Sequence, residues 1–175
     1  KRKDLITLVK AFKLLKEDRK NKHLKLVLAG QKILNGNLDV LNELESYIFT
    51  NNLSKSILMT GYLSGAEICS LYKNALIYVF PSVEEGFGIP VLEAFAMKTP
   101  VVSSNAAAMV EIAKGAAQHY NKGDYTELFK TLNKLIISKP KRIHLIEKGS
   151  ERLKAFSREK FIKDYEQFIL NSVTN

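Results

Sequence analysis

The stretch LIYVFPSVEEGFGIPVLEAFAMKTPVVSS, residues 76–104, decides the fold class. Its two ends, 76–82 and 100–104, are short runs of apolar and β-prone residues, which predict buried strands. Between them, the spacing of apolar residues near 90–97 predicts a helix. A strand, a helix and a second strand in this order form the crossover unit of a parallel sheet. The stretch therefore predicts a fold of the α/β class.

The same alternation continues on both sides of this unit. The further predicted elements are helices over 5–15, near 39–50, 65–73, 124–137, 141–155 and 158–170, and strands at 24–30, 57–61 and near 117–120. We expect the strand at 24–30 to be buried. Repeated alternation predicts a Rossmann-like, three-layer α/β/α domain with a parallel sheet and ligands outside the carboxyl ends of its strands. Such a domain usually begins with a strand, so we expect that strand upstream of Lys1, and a helical tail over about 124–175.

The length and composition are those of a single domain spanning 1–175. The 175 residues are 46% hydrophobic, which is enough to bury a core, and the sequence holds no apolar run of about eighteen residues. The first residues lack the apolar core of a secretory signal, so we expect a cytoplasmic protein. The single cysteine, Cys69, excludes a disulfide framework, and the apolar spacing around it predicts a small core residue.

The formal net charge of +9 is concentrated at the two ends of the chain. Residues 1–25 carry ten Lys or Arg against three acids, and residues 139–163 carry nine against three. Nucleic-acid binding would need stacking aromatics among these charges, but Phe12, Phe156 and Phe161 occupy positions typical of a core. We therefore expect no nucleic-acid partner. A peripheral contact with anionic lipid at the inner face of the membrane, a negatively charged partner domain and an ordinary solvated Lys-rich surface stay open.

The centre of the opening stretch has the features of an anion site. Gly86 and Gly88 follow a predicted strand and let the backbone approach a ligand closely. Pro90 suits the first turn of a helix, because its φ is already helical and it has no N–H to leave unpaired. The free N–H groups and the positive dipole end of that helix therefore predict a phosphate site.

Two carboxylates, Glu85 and Glu93, flank this predicted phosphate site. Glu85 precedes the glycines and Glu93 lies one turn into the helix, so each can accept hydrogen bonds from hydroxyls on its own side of a phosphate. A nucleotide sugar carries hydroxyls on both sides, on its hexose and on its ribose. The alternative is that both acids only stabilise the loop and the helix dipole. The glycines, the strand and the proline together favour the donor site.

The segment FPSVEEGFGIPVLEA, residues 80–94, resembles the two-glutamate donor motif of the large retaining glycosyltransferase family four, the glycosyl transferases group 1. Flanking segments are similar to that family as well, namely RKDLITLVKAF at 2–12, LVLAG at 26–30, TGYLSGAEICSLY at 60–72 and FAMKTPVVSSN at 95–105. The resemblance covers about 2–124 and is closest to mannosyltransferase-like and polysaccharide-building members. It implies the C-terminal, donor-binding half of a two-domain GT-B fold.

The resemblance also implies a reaction and a set of site residues. The reaction is transfer of a hexose from UDP-, GDP- or ADP-hexose to a glycan, lipid-linked or polysaccharide acceptor, with anomeric configuration retained and without a metal ion or other cofactor. Glu85 would contact the donor sugar as the catalytic residue, and Glu93 would bind the ribose. The other implied donor-binding residues are Arg2 and Lys3 at the diphosphate, Tyr62 near the base, Ser82 and Gly86 in the loop, and the backbone of Phe87, Gly88 and Ile89.

Three positions depart from the family pattern. Lys98 stands where the family commonly has Gly, Val110 where it commonly has Pro, and Arg158 where a Trp often follows Phe-Ser. They bear on the subfamily and on the path of 105–115, and they leave the two glutamates untouched. The family's arginine near the end of the first strand would lie upstream of Lys1, and the N-terminal acceptor domain is absent from this chain. We therefore expect the isolated chain to be inactive.

Two other functions stay open on the sequence. A nucleotide-sugar epimerase half domain would use similar phosphate geometry but needs further acid and base residues. A non-catalytic interaction module derived from a glycosyltransferase would dock through the basic ends, although intact Glu85 and Glu93 argue against it. The histidines His23, His119 and His144 show no spacing typical of a metal site.

Overall fold

The computed structural model describes residues 2–30, 38–157, 159, 160 and 162. The helices are α1 Leu5–Glu17, α2 Leu38–Thr50, α3 Gly65–Asn74, α4 Ile89–Ala96, α5 Ala107–Ala113, α6 Tyr125–Ile136 and α7 Lys139–Leu153. The strands are β1 Leu26–Ala29, β2 Ile57–Gly61, β3 Tyr78–Phe80, β4 Val101–Ser104 and β5 Gln118–Tyr120. Short 3-10 turns follow α1 at Arg19–Asn21 and α7 at Lys154–Phe156. The predicted alternation is confirmed, and the helix predicted near 158–170 lies almost entirely outside the described residues.

Every strand pairs in parallel, as predicted, but the described strands form two sheets. β1 pairs with β2, while β3, β4 and β5 lie side by side in that order. Among the described residues β1 and β3 are not paired with each other, and in the doubly wound order they would flank the first strand. The break between the sheets thus falls where the sequence predicts a strand from upstream of Lys1. That strand stays a prediction.

The three-stranded sheet is covered on both faces. All four residues of β4 are buried. Val101 packs in a cluster with Phe95 of α4 and Met109 of α5. Val102 packs in a second cluster with Leu8 of α1. Because successive side chains of a strand point to opposite faces, these clusters lie on the two sides of one sheet, and the predicted three-layer arrangement is confirmed.

The two-stranded sheet is more exposed than the sequence predicts. Half-buried and exposed residues alternate along β1, and Leu58 of β2 keeps 58% of its surface. Leu26 and Leu28 pack against the cluster that contains α1 and α2, whereas Val27 points away and is exposed. The prediction of a buried strand at 24–30 is wrong, because helices among the described residues cover one face of β1 and leave the other open.

The prediction that Cys69 belongs to the core is also wrong, because Cys69 is exposed. The inward face of α3 carries Ile68 and Tyr72, which are four residues apart and therefore lie above each other on the helix. Cys69 lies about 100° around the helix from Ile68. A helix with one narrow buried stripe leaves its other apolar side chains in solvent.

Helix α5 is a helix that the sequence analysis does not predict. It spans only seven residues, Ala107–Ala113, and the residue at its start, Ala106, provides no side-chain hydrogen bond to cap it. A helix that is short and lacks a capping side chain leaves no start signal in the sequence. Packing supplies the missing stabilisation, because Met109 and Ile112 on its inner face are buried.

The helical tail begins where predicted and returns to the sheet. The carboxylate of Asp124 accepts from the backbone N–H groups of Thr126 and Glu127, which fixes the start of α6. Helix α7 lies against α4 at Gly149, where an added Cβ would come within 2.7 Å of Cδ1 of Phe95. The tail is therefore close to the helix that begins at the predicted donor loop.

Candidate functional site

The glycine turn of the predicted phosphate site lies between β3 and α4, at the carboxyl end of the three-stranded sheet. Gly88 is the residue immediately before α4, with φ 83° and ψ 38°. Residues other than glycine adopt this left-handed backbone conformation only at a cost in free energy. A Cβ at Gly88 would lie 2.5 Å from Cε of Met109. Glycine therefore serves both the turn and the close packing of the loop against α5.

The start of α4 is open to an anion. Pro90 occupies the first turn. Gly88 has no side chain that could cap the backbone N–H groups of the helix, and the first turn contains no acidic residue. Pro90 has no N–H and the N–H of Val91 donates to the carbonyl of Gly88, so the N–H of Ile89 is the open donor among the first three residues of α4, at a positive dipole end that no acidic side chain compensates. Phe87 and Ile89, whose backbones frame this end, are both exposed. This accessible helix start is where the sequence predicts a phosphate, and phosphate binding there stays a prediction.

Glu85 and Arg2 lie beside each other at the loop. Nη2 of Arg2 is 3.8 Å from Oε1 of Glu85, and the side chain of Arg2 is 60% exposed against 19% for Glu85. Solvent around the arginine makes this ion pair worth little for stability. The backbone adds a firmer link, because the N–H of Val83 donates to the carbonyl of Arg2 at 2.9 Å. The segment before α1 is thus fastened alongside the loop, with a cation next to Glu85.

Glu93 is exposed and has a buried hydrogen-bond partner that the sequence does not predict. The hydroxyl of Tyr72 donates to Oε2 of Glu93 at 3.1 Å. Burial raises the pKa of the Tyr72 hydroxyl well above its ordinary value, and the neighbouring Tyr78, whose ring lies edge-on at 5.0 Å, adds to the shift. Burial also raises the pKa of Tyr78 to about 12. Tyr72 therefore keeps its proton at neutral pH and donates it in a hydrogen bond to the carboxylate.

The backbone around Tyr72 is fixed as well. The hydroxyl of Thr99, just after α4, donates to the carbonyl of Tyr72 at 2.7 Å in a buried position. This bond ties the end of α3 to the segment that leads into β4. The sequence pattern places Tyr72 only on the inward side of an amphipathic helix. Its contact with Glu93, 21 residues away, could not be predicted from that pattern.

The remaining predicted site residues lie at different depths and distances. Ser82 is fully buried, its carbonyl accepts from the hydroxyl of Ser104, and its own hydroxyl has no hydrogen-bond partner among the described residues. Lys3 is exposed in the turn before α1. Tyr62 is exposed just after β2, on the other sheet. The structure thus joins Arg2 to Glu85 at the loop, whereas no described contact links Lys3 or Tyr62 to it.

The described part of the chain holds neither a metal-ion cluster nor a membrane-spanning helix. Across residues 2–30, 38–157, 159, 160 and 162, no group of three or more His, Cys, Asp or Glu side chains is placed to hold a metal ion. Donor binding without a metal or other cofactor stays a prediction. In the same part of the chain, no helix has the length and apolar character needed to cross a membrane.

Known proteins resemble this chain in sequence and in fold. The family model described as glycosyl transferases group 1 matches residues 1–152. The serotype-specific mannosyltransferase WbdA of Escherichia coli is 30% identical over 137 residues, 77% of this chain and 16% of WbdA. The C-terminal domain of LpcC, a glycosyl transferase group 1 protein of Francisella tularensis, has a TM-score of 0.76 at 25% identity, covering 88% of this chain and 79% of that one. HepE of Anabaena, solved in complex with UDP, has a TM-score of 0.78 at 20% identity, covering 99% of this chain and 45% of HepE.

Some of these similarities show only the fold, and others show the family. The likeness to HepE shows the fold alone, and the chain spans less than half of HepE and about a sixth of WbdA. The comparisons favour neither an epimerase half domain nor a non-catalytic module. The family model, however, covers most of the sequence, and the mannosyltransferase and LpcC matches agree with it. The chain therefore belongs to the glycosyl transferases group 1 family and has the C-terminal domain of a GT-B glycosyltransferase.

Proposed function

We propose that this domain binds a nucleotide-activated hexose and forms the donor half of a retaining hexosyltransferase. The observation that carries the proposal is the glycine turn at the open start of α4, with Glu85 three residues before Gly88 and Glu93 five residues after it. A diphosphate at the turn would have a carboxylate available on each side. The donor is UDP-, GDP- or ADP-hexose, and no metal ion or other cofactor takes part.

The diphosphate is neutralised by the protein itself in this proposal. The N–H groups at the start of α4 and the guanidinium of Arg2 supply positive charge beside the turn, and Lys3 adds to it from the neighbouring turn. As the bond to the sugar breaks, negative charge grows on the leaving diphosphate. N–H groups and cations that are already in place stabilise that charge without reorganising, which lowers the activation barrier of sugar transfer.

The two carboxylates have different tasks. Glu85, whose side chain is mostly buried beside the loop, accepts hydrogen bonds from hydroxyls of the hexose and holds the donor sugar as an oxocarbenium-like transition state forms. Glu93 accepts from the ribose hydroxyls with the oxygen that Tyr72 leaves free. Tyr62 near the base and Ser82 below the loop are the remaining proposed contacts.

The surroundings of the reaction are proposals of the same kind. WbdA is a serotype-specific mannosyltransferase, which supports a polysaccharide or lipid-linked glycan as the acceptor class. The acceptor would bind an N-terminal domain outside this sequence, so the domain alone should not transfer sugar. We place the reaction in the cytoplasm, at the inner face of the membrane if the basic ends of the chain contact anionic lipid.

Amide spectroscopy tests the donor site directly. We expect millimolar UDP, GDP or ADP to shift the backbone amides of 85–93 in the isotope-labelled chain. Glu85→Gln should weaken binding of the matching nucleotide sugar by about tenfold, on the order of one charged hydrogen bond. Glu84→Gln, which changes the exposed neighbour, should not. If none of the three nucleotides perturbs 85–93, the donor-site proposal is wrong.

The contact between Tyr72 and Glu93 gives a sharper test of the ribose side. Tyr72→Phe removes the hydroxyl that orients Glu93. Affinity for the ribonucleotide should therefore fall about three- to tenfold, in line with one hydrogen bond of roughly 1 kcal/mol. Affinity for the 2′,3′-dideoxy analogue should not change, because it has no hydroxyls for Glu93. Tyr47→Phe in the other cluster is the control. Equal losses for both nucleotides would contradict the ribose assignment.

A further inference from the structure

The end of the helical tail is tied to helix α5. Nε of Arg152 donates to the carbonyl of Ile112 at 2.8 Å, and Nη2 of Arg152 donates to the carbonyl of Glu111 at 3.1 Å. These carbonyls belong to the last turn of α5, where backbone acceptors have no partners within the helix. One guanidinium therefore holds the last turn of α7 against the end of α5.

The same guanidinium begins a stack that reaches the donor loop. The guanidinium carbon of Arg152 lies 4.6 Å from the ring centre of Phe156, in the 3-10 turn after α7. The ring of Phe156 meets the ring of Phe87 edge to face, with centres 6.0 Å apart and planes at 90°. Both contacts have favourable geometries, a cation over a ring face and a T-shaped pair.

The glycine turn also packs against α5. Gly88 packs so closely on Met109 of α5 that a Cβ would lie 2.5 Å from the methionine Cε. The turn at Gly86–Gly88 therefore contacts α5 through Gly88 and the ring of Phe156 through Phe87. Because Arg152 joins these two supports, the contacts form a closed ring from the turn through α5 and the tail back to the turn.

We propose that Phe156 is a positioning residue for the donor loop and that Arg152 holds it in place. This inference rests on the proposed function, because it concerns the same diphosphate site. Phe87 is half exposed and stands between two glycines, which have the greatest backbone freedom. Without a partner for its ring, the turn would sample many conformations, and a ligand would have to order it again on binding. The tail thus sets the loop in its anion-binding conformation before the donor arrives.

The position of the stack predicts which part of the ligand is affected. In the proposed function the turn at Gly86–Gly88 holds the diphosphate, whereas Glu93, which accepts a hydrogen bond from Tyr72 of α3, binds the ribose. Phe156→Ala should therefore weaken binding of the nucleoside diphosphate about three- to tenfold and leave binding of the matching nucleoside unchanged. Phe156→Tyr keeps the ring and should restore the wild-type affinity. Arg152→Lys, which keeps the charge but not the planar stacking surface, should fall between these two.

Affinities are measured by titrating the full chain with UDP, GDP and ADP, and with uridine, guanosine and adenosine, while the backbone amide shifts are followed. Ile143→Ala, which truncates an exposed apolar residue elsewhere on α7, is the matched control and should bind as the wild type. A second measurement, hydrogen exchange at the Gly86 and Gly88 amides without any ligand, should show faster exchange in Phe156→Ala. Unfolding in urea is recorded for every variant.

The possible results separate the two proposals. Unchanged diphosphate affinity in Phe156→Ala would overturn the inference, and so would a loss shared equally by the nucleoside, because that pattern indicates general destabilisation. If the wild-type chain binds none of the nucleotides, the proposed function fails. The exchange measurement then decides the inference separately, and unchanged exchange at Gly86 and Gly88 overturns it.

Discussion

In the three-stranded sheet every residue of β4 is buried, whereas in the two-stranded sheet β1 alternates between half-buried and exposed residues and Leu58 of β2 keeps 58% of its surface. Both sheets are parallel, and α1 contributes to the core beside each. The difference lies in the second face, which α4 and α5 cover only for the three-stranded sheet. The loop with Gly88 therefore rises from the better-supported sheet, and resistance to local unfolding should be highest below it.

The largest expected effect is a truncation under the glycine turn. Met109 is fully buried, so Met109→Ala removes packed atoms and leaves a cavity, and the free energy of unfolding should fall by about 2–5 kcal/mol. Urea unfolding followed by circular dichroism gives this value. A loss below about 1 kcal/mol would mean that the two sheets are more alike in packing than the burial pattern indicates.

A smaller loss is expected where the tail meets α4. Ala has the better helix propensity, but a Cβ at Gly149 would lie within 2.7 Å of the ring of Phe95, which is itself buried and cannot swing away. Overpacking of this kind typically costs about 1–3 kcal/mol, so Gly149→Ala should destabilise the chain despite a helix-propensity gain of about 1 kcal/mol. A more stable variant in the same urea assay would show that α7 can move off α4.

A gain in stability is expected at the end of α4. Lys98 has φ 57° and donates its N–H to the carbonyl of Phe95, so a lysine occupies the left-handed position that commonly ends a helix. The family's usual glycine at this position now has a physical reason. Lys98→Gly should raise the free energy of unfolding by about 0.5–1 kcal/mol, because relief of the left-handed strain outweighs the greater flexibility of the unfolded chain. Lys122→Gly, an exposed lysine without such a φ, serves as the control.

The smallest effect is expected on the open face of the two-stranded sheet. Leu58→Ala truncates a residue that is largely in solvent, so the free energy of unfolding should change by about 0.5 kcal/mol or less. Together with Met109→Ala it forms a matched pair of truncations. A loss as large as the one at Met109 would show that this face is covered in solution.

The sequence predicted those parts of the molecule that depend on local patterns. Strand and helix alternation gave the α/β order, and the run from Phe80 to Ala94 gave the glycine turn and the start of α4. Packing between elements that are distant in the sequence could not be predicted from these local patterns. The exposure of Cys69 and Val27 depends on which faces the neighbouring helices cover, and a strand of apolar residues looks the same whether one face or two are buried.

The same limit applies to the candidate site. Glu85, Glu93 and the glycines form one continuous motif, so the sequence brings them together without any knowledge of the fold. Tyr72 and Phe156 reach that motif from α3 and from the end of the tail. Each reads as an ordinary apolar position on its own segment. Residues that act on the site through tertiary contacts needed the structure to be found.

The packing of Met109 against Gly88 also makes a single sulphur atom a reporter of motion. A Cβ at Gly88 would lie 3.2 Å from the methionine Sδ, and the whole side chain is shielded from solvent. Peroxide can convert it to the sulfoxide only when α5 opens, and the added polar oxygen would not fit back against the turn. The rate of Met109 oxidation, read by mass spectrometry, therefore measures how often this part of the domain opens, and a bound nucleotide should slow it.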